Sequence, residues 1–499
     1  MDNLRDKTLK GFLYKFLERV GASGIQLVIT IVLARILMPN EYGIIALVSI
    51  IITILDVFVT YGFGNSLVVN KNSDKIDFST CFYFGLFLSA VLYAACFFLA
   101  PLLANWFSID SSTGDLKYDV SLLTLVIRIM CLRLPIAAIN SVQHAYVQKN
   151  MLFRKFFYST LIGTVISGVA AIIMAFNGFG VWALVEQYLG NILIDTICLF
   201  ILVEWKPTCD FSFSRLKKIY SYGWKILVVG LIDVGYNQLR NIVIAKKYTT
   251  ADLAYYSKGN EFPSTCNNFI EPTISSVTLP TLSKVNDDQD RMKSITRRCI
   301  KTSTFIIFPM MIGLACVAHP LIEVLLTDKW IDSVIFLQIF CLAYLFRPIQ
   351  FINNSVIRAS GKSGLLLILD IIKKIIGVIL LIVGIQFGIT GIALSLAITN
   401  LISTFINIWP NKKILNYGYL DQFKDIFWNL LIAIVMGASV FALSFIKIPS
   451  VVLLIVQVLT GILLYFSFAA ITKNDSFFYG VSLIKDFLHN HKRNGEEKK

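Results

Sequence analysis

The stretch LVITIVLARILMPNEYG, residues 27–43, is an apolar run that ends in a charged turn. Eight apolar or small residues lead up to Arg35, and Pro39, Glu41 and Gly43 follow it closely. An apolar run of this length predicts the end of one membrane-spanning helix and the start of the next. A basic residue at the end of a span favours an interfacial anchor, and contact with a substrate is the alternative for Arg35.

The composition extends this pattern to the whole chain. Of 499 residues, 56% are hydrophobic and only 15% are charged, and the mean hydropathy is +0.71. Apolar runs recur to about residue 472 and leave no insert the size of a soluble domain, so we predict an all-α polytopic membrane protein. About fourteen spans are expected, at residues 12–38, 41–68, 79–107, 119–147, 152–176, 179–204, 217–246, 251–283, 294–318, 334–357, 364–386, 388–410, 425–446 and 449–472.

The basic residues of the connecting segments predict the orientation. With the N-terminus inside, 29 Lys and Arg residues fall in the predicted inner segments and 6 in the outer ones. Cytoplasmic loops collect Lys and Arg, so this asymmetry predicts that both termini are cytoplasmic. The formal charge of +14 is therefore attributed to topology, and no nucleic-acid partner is expected.

An internal repeat predicts how the spans are grouped. Residues 31–43, IVLARILMPNEYG, align without a gap on residues 242–254, IVIAKKYTTADLA, six spans further along. Two copies of the same orientation imply two six-helix lobes related by a pseudo-two-fold axis along the membrane normal, plus two extra C-terminal helices. The expected organisation is an N-terminal lobe at 1–204, a linker at 205–216, a C-terminal lobe at 217–414, two additional helices at 415–472 and a cytoplasmic tail at 473–499.

Charged side chains at the predicted middle of spans are the candidate functional residues. Arg133 and Arg347 lie near the midpoints of spans four and ten, where each charge costs roughly 2.5–3.5 kcal/mol if it faces lipid. They must therefore face a cavity or an opposite charge. A guanidinium fits phosphate oxygens bidentately, so we predict diphosphate binding, with simple internal pairing as the alternative. Arg128, Arg240 and Arg19 are secondary candidates because they lie nearer the ends of their spans.

The acidic residues of the same depth are candidates for ion coupling or a gate. Asp56, Asp233 and Glu271 are assigned this role, and coupling to Na⁺ or H⁺ is left open. Glu271 lies in span eight, the most polar span, whose three prolines favour a bent helix lining a cavity. No cysteine or histidine spacing indicates a metal site, no cofactor is expected, and no catalytic group of residues emerges, so the chain is not expected to be an enzyme.

Three stretches carry a resemblance to a known family. They are VLARILMPNEYGIIALVSI at 32–50, IEPTISSVTLPTLSKVNDDQDRMK at 270–293 and PLIEVLLTDKWIDS at 320–333. They resemble polysaccharide transporters of the MOP flippase superfamily, specifically Wzx-type lipid-linked oligosaccharide flippases. The resemblance covers nearly the whole chain and implies a two-lobed, V-shaped bundle. It also implies transfer of undecaprenyl-diphosphate-linked repeat units across the bacterial inner membrane for O-antigen, capsule or exopolysaccharide assembly.

Alternating access is the mechanism that this resemblance implies, with lipid-linked oligosaccharide and membrane lipids as partners. A polymerase and other polysaccharide-assembly proteins are further candidate partners. Three alternatives remain: a cation-coupled drug or metabolite antiporter of the same fold, a membrane polymerase or glycosyltransferase of the same pathway, and a structural membrane protein. A small-molecule efflux assay distinguishes an antiporter from a flippase. A polymerase or glycosyltransferase would need a sizeable non-membrane segment, which the sequence lacks. Charges at mid-span argue against the third.

Overall fold

The computed structural model describes residues 21–60, 64–69, 73–109, 119–478 and 482. All regular secondary structure in these residues is helical, which confirms the predicted all-α class. The helices are α1 (Gly21–Ile36), α2 (Pro39–Thr60), α3 (Gly64–Val69), α4 (Lys75–Ser108), α5 (Val120–Met130), α6 (Arg133–Lys149), α7 (Phe153–Phe176), α8 (Val181–Leu202), α9 (Phe213–Lys247), α10 (Thr250–Ser283), α11 (Gln289–Cys316), α12 (Ala318–Leu326), α13 (Ser333–Leu345), α14 (Arg347–Ala359), α15 (Ser363–Gly384), α16 (Gly388–Leu415), α17 (Tyr419–Ala442) and α18 (Ser450–Ile471).

The lengths and composition of these helices fit a membrane. Within the described ranges, nine single helices or consecutive helix pairs are long and apolar enough to cross a bilayer. The shortest has 22 residues, or about 33 Å of helix, which matches a hydrocarbon core of about 30 Å. Four further helices, α9, α10, α15 and α16, have 22 to 35 residues each. The chain is a multi-pass membrane protein, and the count of fourteen spans stays a prediction.

Two predicted spans are broken in the middle, which the sequence analysis did not anticipate. Span four consists of α5 and α6, separated at residues 131–132, and span ten consists of α13 and α14, separated at Phe346. A proline lies just after each break, Pro135 in α6 and Pro348 in α14. Proline has no N–H to donate to the carbonyl four residues earlier, so the helical ladder is interrupted where the break occurs.

The charged turn of the opening stretch lies between α1 and α2. Glu41 is the third residue of α2, and its Oε2 accepts a hydrogen bond from the Met38 N–H at 2.7 Å. Asp252 occupies the same position in α10, and its Oδ2 accepts from the Thr249 N–H at 3.0 Å. The repeated acid thus closes the N-terminus of the following helix, which otherwise has unpaired N–H groups. Arg35 is exposed, and its role as an anchor stays a prediction.

The two copies of the repeated motif lie against each other at one point. A Cβ atom on Gly43 would stand only 1.9 Å from the main-chain oxygen of Thr250. Next to this contact, the Thr250 hydroxyl and the Asn40 amide oxygen are 3.3 Å apart. Only glycine allows α2 and the start of α10 to approach so closely.

The chain divides into two compact units, residues 1–254 and 255–499. In the first, Phe78, Trp205 and neighbouring apolar residues form a buried cluster beside α4 and α6. In the second, Trp330, Phe308 and Phe340 are among the largest fully buried side chains. The boundaries predicted for the lobes, the linker, the extra helices and the tail stay predictions, as does the pseudo-two-fold axis.

Candidate functional site

Arg133 and Asp56 form an ion pair at the helix break of the first unit. Arg133 is the first residue of α6, and its Nε donates to Oδ2 of Asp56 on α2 at 3.3 Å. The guanidinium carbon also lies 4.6 Å from the centre of the Tyr188 ring on α8. The side chains of Arg133 and Asp56 are 24% and 21% exposed. The pair is therefore neither sealed in the core nor freely solvated, and both groups remain open to exchange of partners.

The position of Arg133 at the start of a half-helix concentrates positive charge. The helix dipole adds partial positive charge at the start of α6, while the Leu134 N–H is already bonded to the Cys131 carbonyl at 3.0 Å. Leu132, which precedes α6, provides no side-chain cap. A cation at a helix N-terminus is itself unfavourable by about 0.3–1 kcal/mol, so the arrangement calls for an anion. Asp56 supplies it, and its second oxygen, Oδ1, is buried without a hydrogen-bond partner among the described residues.

A polar cavity of about 240 Å³ lies beside this pair. His144 and Asn140 of α6 also line it, and both contact Asp195 of α8: His144 Nε2 lies 3.1 Å from Oδ2, and Asn140 Nδ2 donates to the same oxygen at 2.8 Å. Asp195 also lies near the middle of its predicted span, residues 179–204, and its contact with His144 is not evident from the sequence. The helical spacing of the lining positions on α6 could have identified this face, which carries Arg133, Ala137, Asn140, His144 and Gln148.

Arg347 and Glu271 form the corresponding pair in the second unit. Arg347 is the first residue of α14, and its Nη2 donates to Oε2 of Glu271 on α10 at 3.2 Å. Asn267, one turn earlier on α10, donates to the same oxygen at 3.0 Å. The side chains of Arg347 and Glu271 are 35% and 29% exposed, while the Arg347 Nε is buried and has no hydrogen-bond partner in the part of the chain that the structure describes. The exposed part of the Arg347 guanidinium, at the start of α14, is suited to an incoming anion.

Helix α10, which corresponds to the polar span eight, is a single continuous helix. It runs continuously from Thr250 to Ser283, with Pro263, Pro272 and Pro280 inside it. Within the second unit, Lys258 pairs with Glu261 at 2.8 Å. The bend that the prolines predict stays a prediction.

Arg128 bonds to the main chain of α4, and this contact explains why a basic residue lies within the span. Its Nε donates to the Phe97 carbonyl at 3.2 Å, and its guanidinium lies 4.3 Å from the Phe97 ring centre. Pro101 of α4 cannot donate to that carbonyl, which lies four residues earlier, so Arg128 supplies the missing hydrogen bond. Tyr465 does the same in the second unit: its hydroxyl donates at 2.7 Å to the carbonyl of Phe305, four residues before Pro309.

The other predicted site residues are not brought to these pairs. Arg240 is buried on α9 with its guanidinium carbon 5.8 Å from the Tyr236 ring centre, and Asp233 is an exposed residue of the same helix. Arg19 lies outside the described residues. The structure thus joins Arg133 with Asp56 and Arg347 with Glu271, and places Arg128 elsewhere. The functional role of every one of these residues stays a prediction.

Fold and site together define a class of protein. A multi-pass helical membrane protein whose broken helices present charged residues at mid-span has the architecture of a membrane transporter. Residues 32–335 match the family of polysaccharide biosynthesis proteins, which is most of the chain. The chain therefore belongs to the polysaccharide biosynthesis protein family.

Individual relatives agree with this assignment. The chain is 24% identical over 317 residues to the succinoglycan biosynthesis transport protein ExoT of Rhizobium meliloti, a match that covers 64% of the chain but only 62% of the relative. It is 22% identical to the lipopolysaccharide biosynthesis protein WzxC of Escherichia coli over 84% of the chain and 83% of the relative. The lipid II flippase MurJ, in an inward closed conformation, shares the fold with a TM-score of 0.73 and 17% identity, covering 94% of the chain and 99% of MurJ.

Proposed function

We propose that the chain flips undecaprenyl-diphosphate-linked oligosaccharide units across the bacterial inner membrane by alternating access, with both termini cytoplasmic. The units would serve surface polysaccharide assembly. Membership of the polysaccharide biosynthesis protein family, two relatives named for succinoglycan transport and lipopolysaccharide biosynthesis, and the fold of a lipid II flippase support the proposal.

One observation carries the assignment of the diphosphate ligands. In each unit an arginine begins a half-helix at mid-span and is held by a single replaceable carboxylate: Asp56 for Arg133 and Glu271 for Arg347. A guanidinium and a helix N-terminus both favour phosphate oxygens, and a phosphate offers more acceptor oxygens than a carboxylate does. Arg133 and Arg347 are the proposed ligands, and the carboxylates occupy them in the absence of substrate.

Exchange of these partners supplies a means of ion coupling. When a phosphate takes the guanidinium, the released carboxylate is left charged within the membrane, which costs several kcal/mol unless it is neutralised. Uptake of H⁺ or Na⁺ by Asp56 or Glu271 removes that cost. Release of the phosphate on the other side of the membrane then restores the ion pair and expels the ion.

The test uses single variants in a bacterial strain that depends on this chain for surface polysaccharide. Arg133→Gln and Arg347→Gln should each abolish surface polysaccharide while the protein remains at its normal level in the membrane. Arg358→Gln, at the exposed far end of α14, is the matched control and should export normally. Normal export in both site variants would contradict the assignment, and efflux of small cationic drugs that depends on the chain would favour an antiporter.

A further inference from the structure

A second polar pocket lies in the unit of residues 255–499, away from the arginine pair. It has a volume of about 250 Å³ and lies where α11, the first turns of α17 and the segment after α18 meet. Three lysines line it, Lys301, Lys424 and Lys473, together with Trp428 and several small polar residues.

The floor of the pocket is a chain of buried side-chain amides. Asn429 Nδ2 donates to the Lys301 carbonyl at 2.9 Å and to the Thr304 hydroxyl at 3.1 Å. Asn474 Nδ2 donates in turn to Asn429 Oδ1 at 2.8 Å, and the Ser476 N–H donates to Asn474 Oδ1 at 2.9 Å. These bonds fix the three chain segments relative to one another, so the pocket is preorganised.

The charges around the pocket leave an excess of cations. Asp425, which is almost fully buried, is bound by Arg297 at 2.6 Å and accepts a hydrogen bond from the Tyr417 hydroxyl at 2.8 Å. Lys301 pairs with the exposed Asp475 at 3.0 Å.

Two further lysines at the rim, Lys424 and Lys473, have no ion pair or hydrogen bond from their ammonium groups within the described part of the chain. The pocket therefore offers two uncommitted ammonium groups to an anion.

Lys473 also occupies an unusual backbone conformation. Its φ of +50° lies in the left-handed region, directly after the end of α18, where glycine is the ordinary residue. The Asn474 N–H bonds back to the Ala469 carbonyl at 3.0 Å and closes the helix. A lysine in this conformation is strained relative to glycine, and strain of this kind is often found at functional positions.

The pocket lies beside the point where the residues of α17 change from polar to apolar. Beyond Trp428, α17 is almost entirely apolar, and before it the helix carries Asp421, Lys424 and Asp425. Trp428 is 56% exposed, which is typical of tryptophan at the level of lipid headgroups. The same face of the chain is the one predicted to be cytoplasmic.

We propose that this pocket binds the phosphate of an anionic phospholipid headgroup, with Lys424 and Lys473 as its ligands and Trp428 against the glycerol backbone. A phosphodiester presents anionic oxygens to the two ammonium groups, while the acyl chains remain in the bilayer beside α17. The change from polar to apolar residues along α17 and the exposed Trp428 beside the pocket favour a lipid over free phosphate as the source of this oxyanion.

Native mass spectrometry of the full-length protein in detergent tests the proposal, with added phosphatidylglycerol, phosphatidylcholine or inorganic phosphate. The wild type should retain phosphatidylglycerol in preference to phosphatidylcholine. Each lysine near an anionic lipid surface contributes about fivefold to binding, so Lys424→Gln/Lys473→Gln should weaken phosphatidylglycerol binding about 25-fold. The matched control is Lys412→Gln/Lys413→Gln, which removes two exposed lysines near Trp409 at the end of α16, outside the pocket, and should weaken phosphatidylglycerol binding much less than the pocket variant does.

A single variant separates binding from folding. Lys473→Gly relieves the left-handed strain, so its unfolding temperature should equal or exceed that of the wild type, while phosphatidylglycerol binding falls about fivefold. Equal losses in the pocket variant and the control, or equal retention of both lipids by the wild type, would overturn the proposal. Tight binding of inorganic phosphate without preference for phosphatidylglycerol would overturn the lipid as the source. These binding measurements are independent of transport.

Discussion

The two arginine pairs are built on the same plan but are surrounded differently. Arg133 and Arg347 each begin a half-helix and each pair with one carboxylate. Arg133 also lies over an aromatic ring, that of Tyr188, whereas Arg347 is more exposed and keeps a buried Nε that no described residue bonds. Arg133 is thus held in a fixed orientation, while Arg347 has an unused donor. The shared elements indicate what an anion site needs, and the differing ones indicate how each site is adjusted.

Exchanging the charges within each pair tests whether the shared plan is functional. Asp56→Arg/Arg133→Asp and Glu271→Arg/Arg347→Glu keep an ion pair but remove the cation from the start of the half-helix. We expect normal protein levels and unfolding temperatures close to the wild type, with transport reduced more than about 100-fold, because phosphate ligands contribute several kcal/mol. Surface polysaccharide and thermal unfolding in detergent are the measurements.

Recovery of transport in either swapped protein would show that the pair acts only as a structural link. Loss in one unit but not the other would break the comparison between the two sites. It would then assign the anion to a single arginine.

Pro101 leaves the Phe97 carbonyl without its helical N–H, and Arg128, which lies outside the two pairs, donates to that carbonyl instead. Arg128→Met should leave the Phe97 carbonyl unsatisfied and destabilise the protein by about 1–3 kcal/mol. Adding Pro101→Ala restores the helical N–H and should recover most of that stability and all transport. Tyr465→Phe with and without Pro309→Ala is the parallel pair in the second unit. If Arg128 instead contacts the substrate, the double variant will be stable and inactive.

The ring beside Arg133 gives the sharpest difference between the two sites. Tyr188→Leu removes a contact with the guanidinium that is worth about 0.5–2 kcal/mol and should weaken apparent substrate affinity by roughly 2- to 30-fold. Tyr344→Phe, which removes only a hydroxyl bonded to Asn260 in the second unit, is the control and should have a smaller effect. The half-saturating concentration of lipid-linked oligosaccharide in proteoliposomes is the readout. Equal effects of the two variants would mean that Tyr188 does not set the difference.

Asp74 and Arg215 form an exposed ion pair, and its removal should have a smaller effect than the removal of either mid-span pair. Asp74 precedes α4, and a hydrogen bond from the Arg215 guanidinium lowers the pKa of its carboxyl below the ordinary 3.8. This contribution to stability is present above pH 3.8 and is lost as the pH falls through the lowered value. We expect Arg215→Gln to lower the unfolding temperature slightly at pH 7 and not at pH 2. A difference of the same size at both pH values would exclude the ion pair as its cause.

Sequence alone identified the arginines and both paired carboxylates but not how they pair. Depth within a span is readable from hydropathy, and it selected Arg133, Arg347 and Asp56 because charge is expensive at mid-span. Glu271 was selected because it lies in the most polar span. Partner choice depends on which helices are neighbours, and that information is not local. Arg128 illustrates the limit, since its role depends on a carbonyl freed by a proline 27 residues earlier in the chain.

The sequence contains signals for the helix breaks and for the polar face that carries His144. Pro135 and Pro348 each lie one or two residues after a mid-span arginine, and this combination indicates an interrupted helix. His144 shares a helical face with Arg133, but it lies near the end of its predicted span. Its contact with Asp195 was therefore not predicted. The all-α class required only composition, which is why it was predicted correctly.

The contact between Gly43 and Thr250 has a consequence for sequence variation among relatives. The atom that excludes a side chain at residue 43 is a main-chain oxygen, which every amino acid possesses. No substitution at residue 250 can therefore make room for a larger residue at 43. Positions that touch through side chains vary in compensating pairs, but this one should not: glycine should persist at residue 43 whichever residue occupies position 250.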